Sequence, residues 1–250
     1  MSAALPTRTQ AERADVTRAR ILETALNEFA AHGLAGARTD QIAAAAGVNK
    51  ALLYYYFESK EKLYVAALEA AAGSVRDTTM AVFLLEVSAG ERLLRTALNH
   101  FDRIVAQGEF QRLMQQEMLR HKPDEPGAFP IIVKRIFAPM QAMYQAMIRE
   151  GITSGEIIEA DWMQIHLSTL GANVFYFLAA PVWRLVLPIE PFDPEVIQQR
   201  RKSIVEFLGQ ALFVDRARGA ELAARVLADT PMPKVNLSPE TFRGKDEPEK

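Results

Sequence analysis

The sequence predicts an all-α fold: a compact three-helix block near the N-terminus, followed by a larger helical bundle. Two observations predict it. Apolar residues recur at helical spacing almost throughout, whereas alternating strand patterns and turn-bounded Val/Ile/Thr runs are nearly absent. Gly, Pro and short polar residues fall where helices of ordinary length should start and stop. The chain has 250 residues, of which 49% are apolar and 24% charged. That is enough to bury a core in one or two domains.

Taken in order, Ile21, Leu22, Ala25, Leu26 and Phe29 form the apolar face of a first helix that stops at His32-Gly33. Thr39 is placed to cap a second helix through Ala46, with Ile42 and Ala45 turned inward, and Gly47 breaks the chain. Asn49 caps a third helix to Phe57, and Ser59 caps a fourth that starts at Lys60. Further helices are expected over 89–107, 109–121, 128–150, 160–180, 194–214 and 217–228. Pro123, Pro126 and Gly127 separate two of these, Gly151 to Gly155 the next two, and Asp193-Pro194 supplies an N-cap and first turn for the last long one. The expected organisation is a flexible leader over 1–14, a helix-turn-helix block over 15–62, a helical domain over 63–229 and a disordered tail over 230–250.

Composition narrows the function classes. The chain has no cysteine, which excludes disulfides, Cys-ligated zinc, iron–sulfur clusters and cysteine nucleophiles, and fits a reducing cytoplasm. The opening MSAALPTRTQ lacks the apolar stretch of a signal peptide. The most apolar run, Leu170 to Trp183, contains Asn173 and Pro181 and is too short to span a bilayer. A cytoplasmic protein without a membrane partner is expected. No G-x-G-x-x-G, P-loop, H-E-x-x-H or G-x-S-x-G pattern occurs, and the histidines at 32, 100, 121 and 166 have no ligand spacing. No catalytic residue, metal or cofactor is therefore expected. The net charge of −2 does not itself point to nucleic acid, since residues 1–62 hold eight Lys/Arg against seven Asp/Glu.

The informative stretch is TDQIAAAAGVNKALLYYYFESKEK, Thr39 to Lys62. A helix, a tight turn at Gly47 and a second short helix make a helix-turn-helix pattern, whose second helix enters a DNA major groove. Tyr54, Tyr55 and Tyr56 sweep about 200° of that helix, so they cannot all enter the small core of Leu53 and Phe57. An exposed tyrosine offers a ring to thymine methyls and a hydroxyl to phosphates. Lys60 stands at a helix N-terminus, where free N–H groups favour an anion. A small helical subdomain with surface tyrosines would share the pattern.

Residues 16–64 resemble the N-terminal domain of the TetR family of transcriptional regulators. The resemblance is carried by His32-Gly33, Thr39, Ile42, Ala43, Ala46-Gly47-Val48, Leu53-Tyr54, Tyr56-Phe57 and Ser59-Lys60. It implies an all-α homodimer that binds a double-stranded DNA operator, usually as a repressor, and releases it when a small molecule enters the C-terminal domain. It also implies that Thr39 meets a phosphate, that Lys50, Leu52 and Tyr55 face bases or adjacent backbone, and that Tyr54, Tyr56 and Lys60 clamp phosphates. Asp40 sets a negative charge near the DNA, and the third helix has no arginine for bidentate guanine reading. Arg8, Arg13 and Arg18 are either an N-terminal arm or part of a solvated leader. A helical adaptor that binds only proteins is the alternative, and it leaves the exposed tyrosines and Lys60 unexplained.

Behind this block, His166, Thr169, Asn173 and Tyr176 form a polar stripe on the very apolar helix at 160–180. A ligand pocket, a dimer interface or internal hydrogen bonds would each satisfy it. Ile136, Met140, Met143 and Met147 share a face, with Met114 and Met118 on the preceding helix. Methionine suits either core filling or a pocket for a small hydrophobic or amphipathic effector. Met114, Met118, Met143, Met147, His166, Thr169, Asn173 and Tyr176 are the candidate ligand residues. Ile197, Ile204, Leu208 and Ala211 form one face of the last long helix, either a dimer seam or intrachain packing.

Overall fold

The structure, a computed structural model, describes residues 9–122 and 127–233. Residues 1–8 with Arg8, the breaks at Pro123 and Pro126, and the tail from 234 lie outside the described residues. The helices are α1 (Gln10–Gly36), α2 (Thr39–Ala45), α3 (Lys50–Phe57), α4 (Lys60–Phe83), α5 (Ala89–Ala106), α6 (Gly108–Arg120), α7 (Ala128–Ile132), α8 (Ala138–Thr153), α9 (Trp162–Leu178), α10 (Ala180–Val186), α11 (Pro194–Ala211) and α12 (Arg216–Asp229). No strand occurs among the described residues, only an isolated bridge between Ile157 and Phe213. No single described helix is long and apolar enough to cross a membrane.

Two compact units divide the chain: residues 1–72 with 112–132, and residues 73–111 with 133–250. In the first, α1 buries Ile21, Leu22, Ala25 and Phe29 against Ile42, Ala43 and Ala46, Leu53 and Phe57, and the first half of α4. Phe29 meets Tyr64 edge-on at 4.9 Å, and the Tyr64 hydroxyl donates to Glu117 at 2.7 Å. The expected leader is helical from Gln10, because Thr9 and Glu12 cap each other reciprocally and satisfy the first free N–H groups. Gly33 does break α1: its φ of 65° and ψ of 175° are non-helical, with a further turn continuing to Gly36.

In the second unit α5 lies at the centre of three apolar clusters. Leu94, Ala97 and Leu98 pack with α11 and α12; Ala89 and Leu93 with α8; Phe101, Ile104 and Val105 with Phe177 and Ile197. The helix expected over 128–150 is interrupted by a π-helical turn at Val133–Phe137. Pro139, in the first turn of α8, has no N–H to donate back along the helix, and widening the preceding turn accommodates that gap. Pro181 does the same at the end of α9, so the helix stops at Leu178 and the short α10 follows at a bend of 61°. The Gly151–Glu156 turn forms as expected, with Glu156 and Ile157 both donating to the Gly151 carbonyl.

α11 and α12 cross at Gly209 and Gly219, where a β-carbon on Gly219 would lie 1.9 Å from the Gly209 carbonyl oxygen. Only hydrogen fits. Gly219→Ala should therefore cost about 1–3 kcal/mol. A melting temperature unchanged from wild type in a thermal scan would refute the close approach.

Candidate nucleic-acid interface

The helix-turn-helix is built by short-range bonds. Gly47 adopts φ 62°, and the turn closes as Gly47 donates to the Ala44 carbonyl at 3.0 Å and Val48 to that of Ala43 at 2.9 Å. A residue with a β-carbon would be strained there. Asn49 then caps α3, its Oδ1 accepting from the Leu52 amide at 2.7 Å, and Ser59 accepts from the Lys62 amide at 3.1 Å to cap α4. Both caps match the sequence expectation. The cap expected at Thr39 does not form: Arg38 occupies the N-cap position without a side-chain bond, and Thr39 is the first helical residue. Ala45, expected inward, is exposed, and Ala43 and Ala46 fill the core instead.

α3 sorts its side chains as its sweep requires. Leu53 and Phe57 are buried, Tyr54, Tyr56 and Leu52 are half-buried, and Tyr55 is 80% exposed. Lys50 is exposed, with its ammonium 6.0 Å from the centre of the Tyr54 ring. Thr39 is buried, and its hydroxyl shares a 3.2 Å hydrogen bond with the Tyr54 hydroxyl. Thr39 thus holds a phenol in place. The Lys60 ammonium donates to the Ala35 carbonyl at 3.0 Å, where the last turn of α1 leaves acceptors free.

Charge around α3 differs from the expectation in one respect. Asp40 is paired with Arg38 at 2.8 Å, and this hydrogen bond holds its carboxyl below the ordinary range. Its negative charge is therefore locally matched. Two cations on α1 flank the motif: the Arg18 guanidinium sits 5.4 Å over the Phe57 ring, and Arg20 lies beside Gly47. Arg20 and Arg38 carried no signal in the motif pattern, since their relevance depends on how α1 packs.

The candidate ligand residues divide between the two units. Met114 and Met118 belong to the first unit, where Met114 is buried and Met118 is 60% exposed. Met143, Met147, His166, Thr169, Asn173 and Tyr176 belong to the second. Much of the polar stripe is satisfied internally. The Thr169 hydroxyl donates to the Ile165 carbonyl at 2.7 Å, Asn173 Nδ2 to the Ala97 carbonyl at 3.0 Å, and the Tyr176 hydroxyl to the Pro191 carbonyl at 2.6 Å. Asn173 Oδ1 and His166 Nδ1 have no partner among the described residues. Ile197, Ile204 and Leu208 are buried within this chain, so they form an intrachain seam and not an intermolecular one; of that face only Ala211 is exposed.

Comparison with known proteins matches these regions to two family models. Residues 21–67 match "Bacterial regulatory proteins, tetR family", and residues 89–212 match the C-terminal domain of the HTH-type transcriptional dual regulator CecR. The chain is similar to the HTH-type transcriptional repressor SCO4008 of Streptomyces coelicolor, 53% identical over 55 residues, 22% of this chain and 29% of that protein. It is also similar to the repressor NicS of Pseudomonas putida, 35% identical over 111 residues, 44% of this chain and 52% of that protein. The matched stretches thus span about half of these relatives' length or less. Among solved structures, a transcriptional regulator from Saccharomonospora viridis in complex with choline shares the fold. Its TM-score is 0.63 at 18% identity, covering 80% of this chain and all of that one.

Between α3 and α4, Glu58 takes φ 61° and ψ −47°, left-handed backbone that an L side chain rarely adopts. Its exposed ion pair with Lys62 repays little of that strain. Glu58→Gly should therefore stabilise the domain by about 1 kcal/mol. A lower melting temperature for the variant would contradict this.

Proposed function

The chain belongs to the TetR family of bacterial regulatory proteins, and from that membership we propose that it is a repressor that binds a palindromic DNA operator as a homodimer and leaves it when a small molecule binds its C-terminal domain. The observation that carries the proposal is Tyr55, an almost fully exposed aromatic side chain on a capped helix behind the Gly47 turn. Such a residue buries little within its own chain, where it meets only the edge of the Tyr56 ring at 5.7 Å among the described residues. With Lys50 beside it, it supplies a ring and a cation for base edges and adjacent backbone. Leu52 adds an apolar contact suited to a thymine methyl. Tyr54, held by Thr39, and Tyr56 and Lys60 supply phosphate donors, with Lys60 giving up or sharing its bond to Ala35.

A second copy is supported by an apolar surface that the chain does not cover. On α9, Met163, Leu167, Phe175 and Leu178 share one face, with Gly171 among them, and all four large side chains are substantially exposed. α11 is tied to α9 by a hydrogen bond from Arg200 to the Ala172 carbonyl at 3.1 Å, and it exposes Phe207. An uncovered apolar stripe of this kind marks an association surface. This seam replaces the one expected at Ile197, Ile204 and Leu208. A two-fold axis through it would present two recognition helices to a pseudo-palindromic site. An effector that prefers another arrangement of the dimer would then weaken operator binding by its differential affinity. Choline bound to the Saccharomonospora regulator supports a small-molecule role for this fold.

Two outcomes are expected. Selection from a random duplex library should enrich an inverted repeat whose affinity falls steeply with salt. Tyr55→Ala should weaken that binding by about tenfold or more; equal binding by the variant would remove Tyr55 from the interface. Phe175→Arg should shift the protein from dimer to monomer in sedimentation without unfolding it. A dimer that persists unchanged would place the seam elsewhere.

A further inference from the structure

Inside the second unit, α5, α8 and α9 meet on a cluster of polar side chains. His100 Nδ1 lies 3.3 Å from Asn173 Nδ2, and Asn173 is wholly buried. The Tyr144 ring meets the His166 ring at 4.4 Å, and the Tyr144 hydroxyl, near Thr169, has no geometrically sound hydrogen bond among the described residues. Asn173 Nδ2 donates to the Ala97 carbonyl, which fixes Oδ1 as an acceptor, and that acceptor is unmet. His166 Nδ1 is unmet as well.

The nearest cation is Arg103, one turn along α5 from His100. Its guanidinium donates to Thr78 at 2.8 Å, Ser74 at 3.4 Å and Gln107, all neutral groups, and its buried Nε has no partner among the described residues. No carboxylate pairs with it among the described residues. The other arginines packed on α5 are answered: Arg92 by Glu150, Arg95 by Glu91, and Arg201 by Asp102 at 2.7 Å. Asp102, adjacent in sequence, is thus committed to Arg201. Arg200, also half-buried, donates to the Ala172 carbonyl and lies 5.6 Å over the Tyr176 ring. Burial pushes both histidines down, His100 to about 4, so neither adds charge at neutral pH. Among the described residues, no carboxylate pairs with the positive charge beside this cluster. A half-buried guanidinium in neutral company costs stability until an anion arrives.

We infer that the second unit holds a carboxylate site centred on Arg103, and that the effector is a monoanion with an apolar body. The inference rests on the reading of this unit as the effector domain. A planar carboxylate matches the guanidinium fork, and one negative charge balances the one positive charge. A dianionic phosphate would leave excess charge among neutral histidines. The body has an apolar wall to follow: Tyr144 packs with Met147, Ile148 and Ile165, and the half-buried Met80 and Met143 lie against them. Asn173 Oδ1 is free to accept from a ligand hydroxyl or a water.

The test is thermal denaturation of the full chain at neutral pH and constant ionic strength. The probes are straight-chain carboxylates from acetate to dodecanoate, each beside the primary alcohol of equal length. At least one acid should raise the melting temperature by about 3 °C or more while its alcohol does not. Arg103→Gln should abolish the gain, Arg103→Lys should keep part of it, and unliganded Arg103→Gln should melt no lower than wild type. The inference is overturned if no acid separates wild type from Arg103→Gln, or if alcohols match acids. It is also overturned if unliganded Arg103→Gln melts well below wild type, which would make Arg103 a structural residue. Operator release is scored on the same samples. Acids that bind without releasing DNA would uphold the anion site and remove its regulatory role. Alcohols that bind and release DNA would uphold the regulatory reading and remove the carboxylate.

Discussion

The second unit depends on one helix with almost no free side. α5 contributes to all three apolar clusters, and of its residues only Ala106 is exposed. A helix in that position cannot leave a polar group to water, so each must be met by a neighbour. Glu91, nearly inaccessible, is held by Arg95 and Arg225; Thr96 bonds back to the Arg92 carbonyl; Asn99 donates to Thr79; Asp102 takes both arms of Arg201. Such buried pairs add little net stability over an apolar core, but removing one partner strands a charge. They fix which neighbour packs where. Against that background the neutral surroundings of Arg103 stand out as a departure from the pattern of the same helix.

The first unit is organised in the opposite way. α2 and α3 are too short to be stable alone. They exist because Ile42, Ala43, Ala46, Leu53 and Phe57 find a surface on α1 and α4. This small core consumes few side chains and leaves the outer face of α3 for other uses. Rigidity is supplied locally, by the Asn49 and Ser59 caps, the Gly47 turn and the Thr39–Tyr54 hydrogen bond. A recognition helix held in this way presents Tyr55 and Lys50 at little further cost in order. Pairing of Arg38 with Asp40 keeps a carboxylate near this face from acting as an unmatched charge.

Where the sequence reading missed, the cause was tertiary. Thr39 has the chemistry of an N-cap, but capping is a local preference, and a buried hydroxyl beside the Tyr54 phenol has a better use. Ile197, Ile204 and Leu208 lie on one helical face, and periodicity says only that such a face is covered. Whether its own chain or a second one covers it is a matter of packing, and here α5 and α12 cover Ile204 and Leu208, while α5, Phe177 and Phe192 cover Ile197. The same limit hid the uncovered face of α9: in the sequence, Leu167 and Phe175 read like Ile165 and Phe177. Met118, chosen for its chemistry, is exposed in the first unit, because spacing along one helix carries no distance to another.

By itself the sequence determined the helical class, the order of the helices and most of their ends. These follow from a period of 3.6, from glycine's freedom at Gly47 and from the caps at Asn49, Ser59 and Asp193, all interactions spanning a few residues. It also determined that one or two of Tyr54, Tyr55 and Tyr56 must face outward, since helix geometry does not let all three enter the core. Only the tertiary structure decided that Tyr55 is the exposed one, with Tyr54 and Tyr56 half-buried. It alone decided which seam is internal, which α9 face remains open, and that Arg103 is left among neutral partners. Those outcomes depend on side chains distant in the chain, whose meeting is set by the packing of helices and is written in no local pattern.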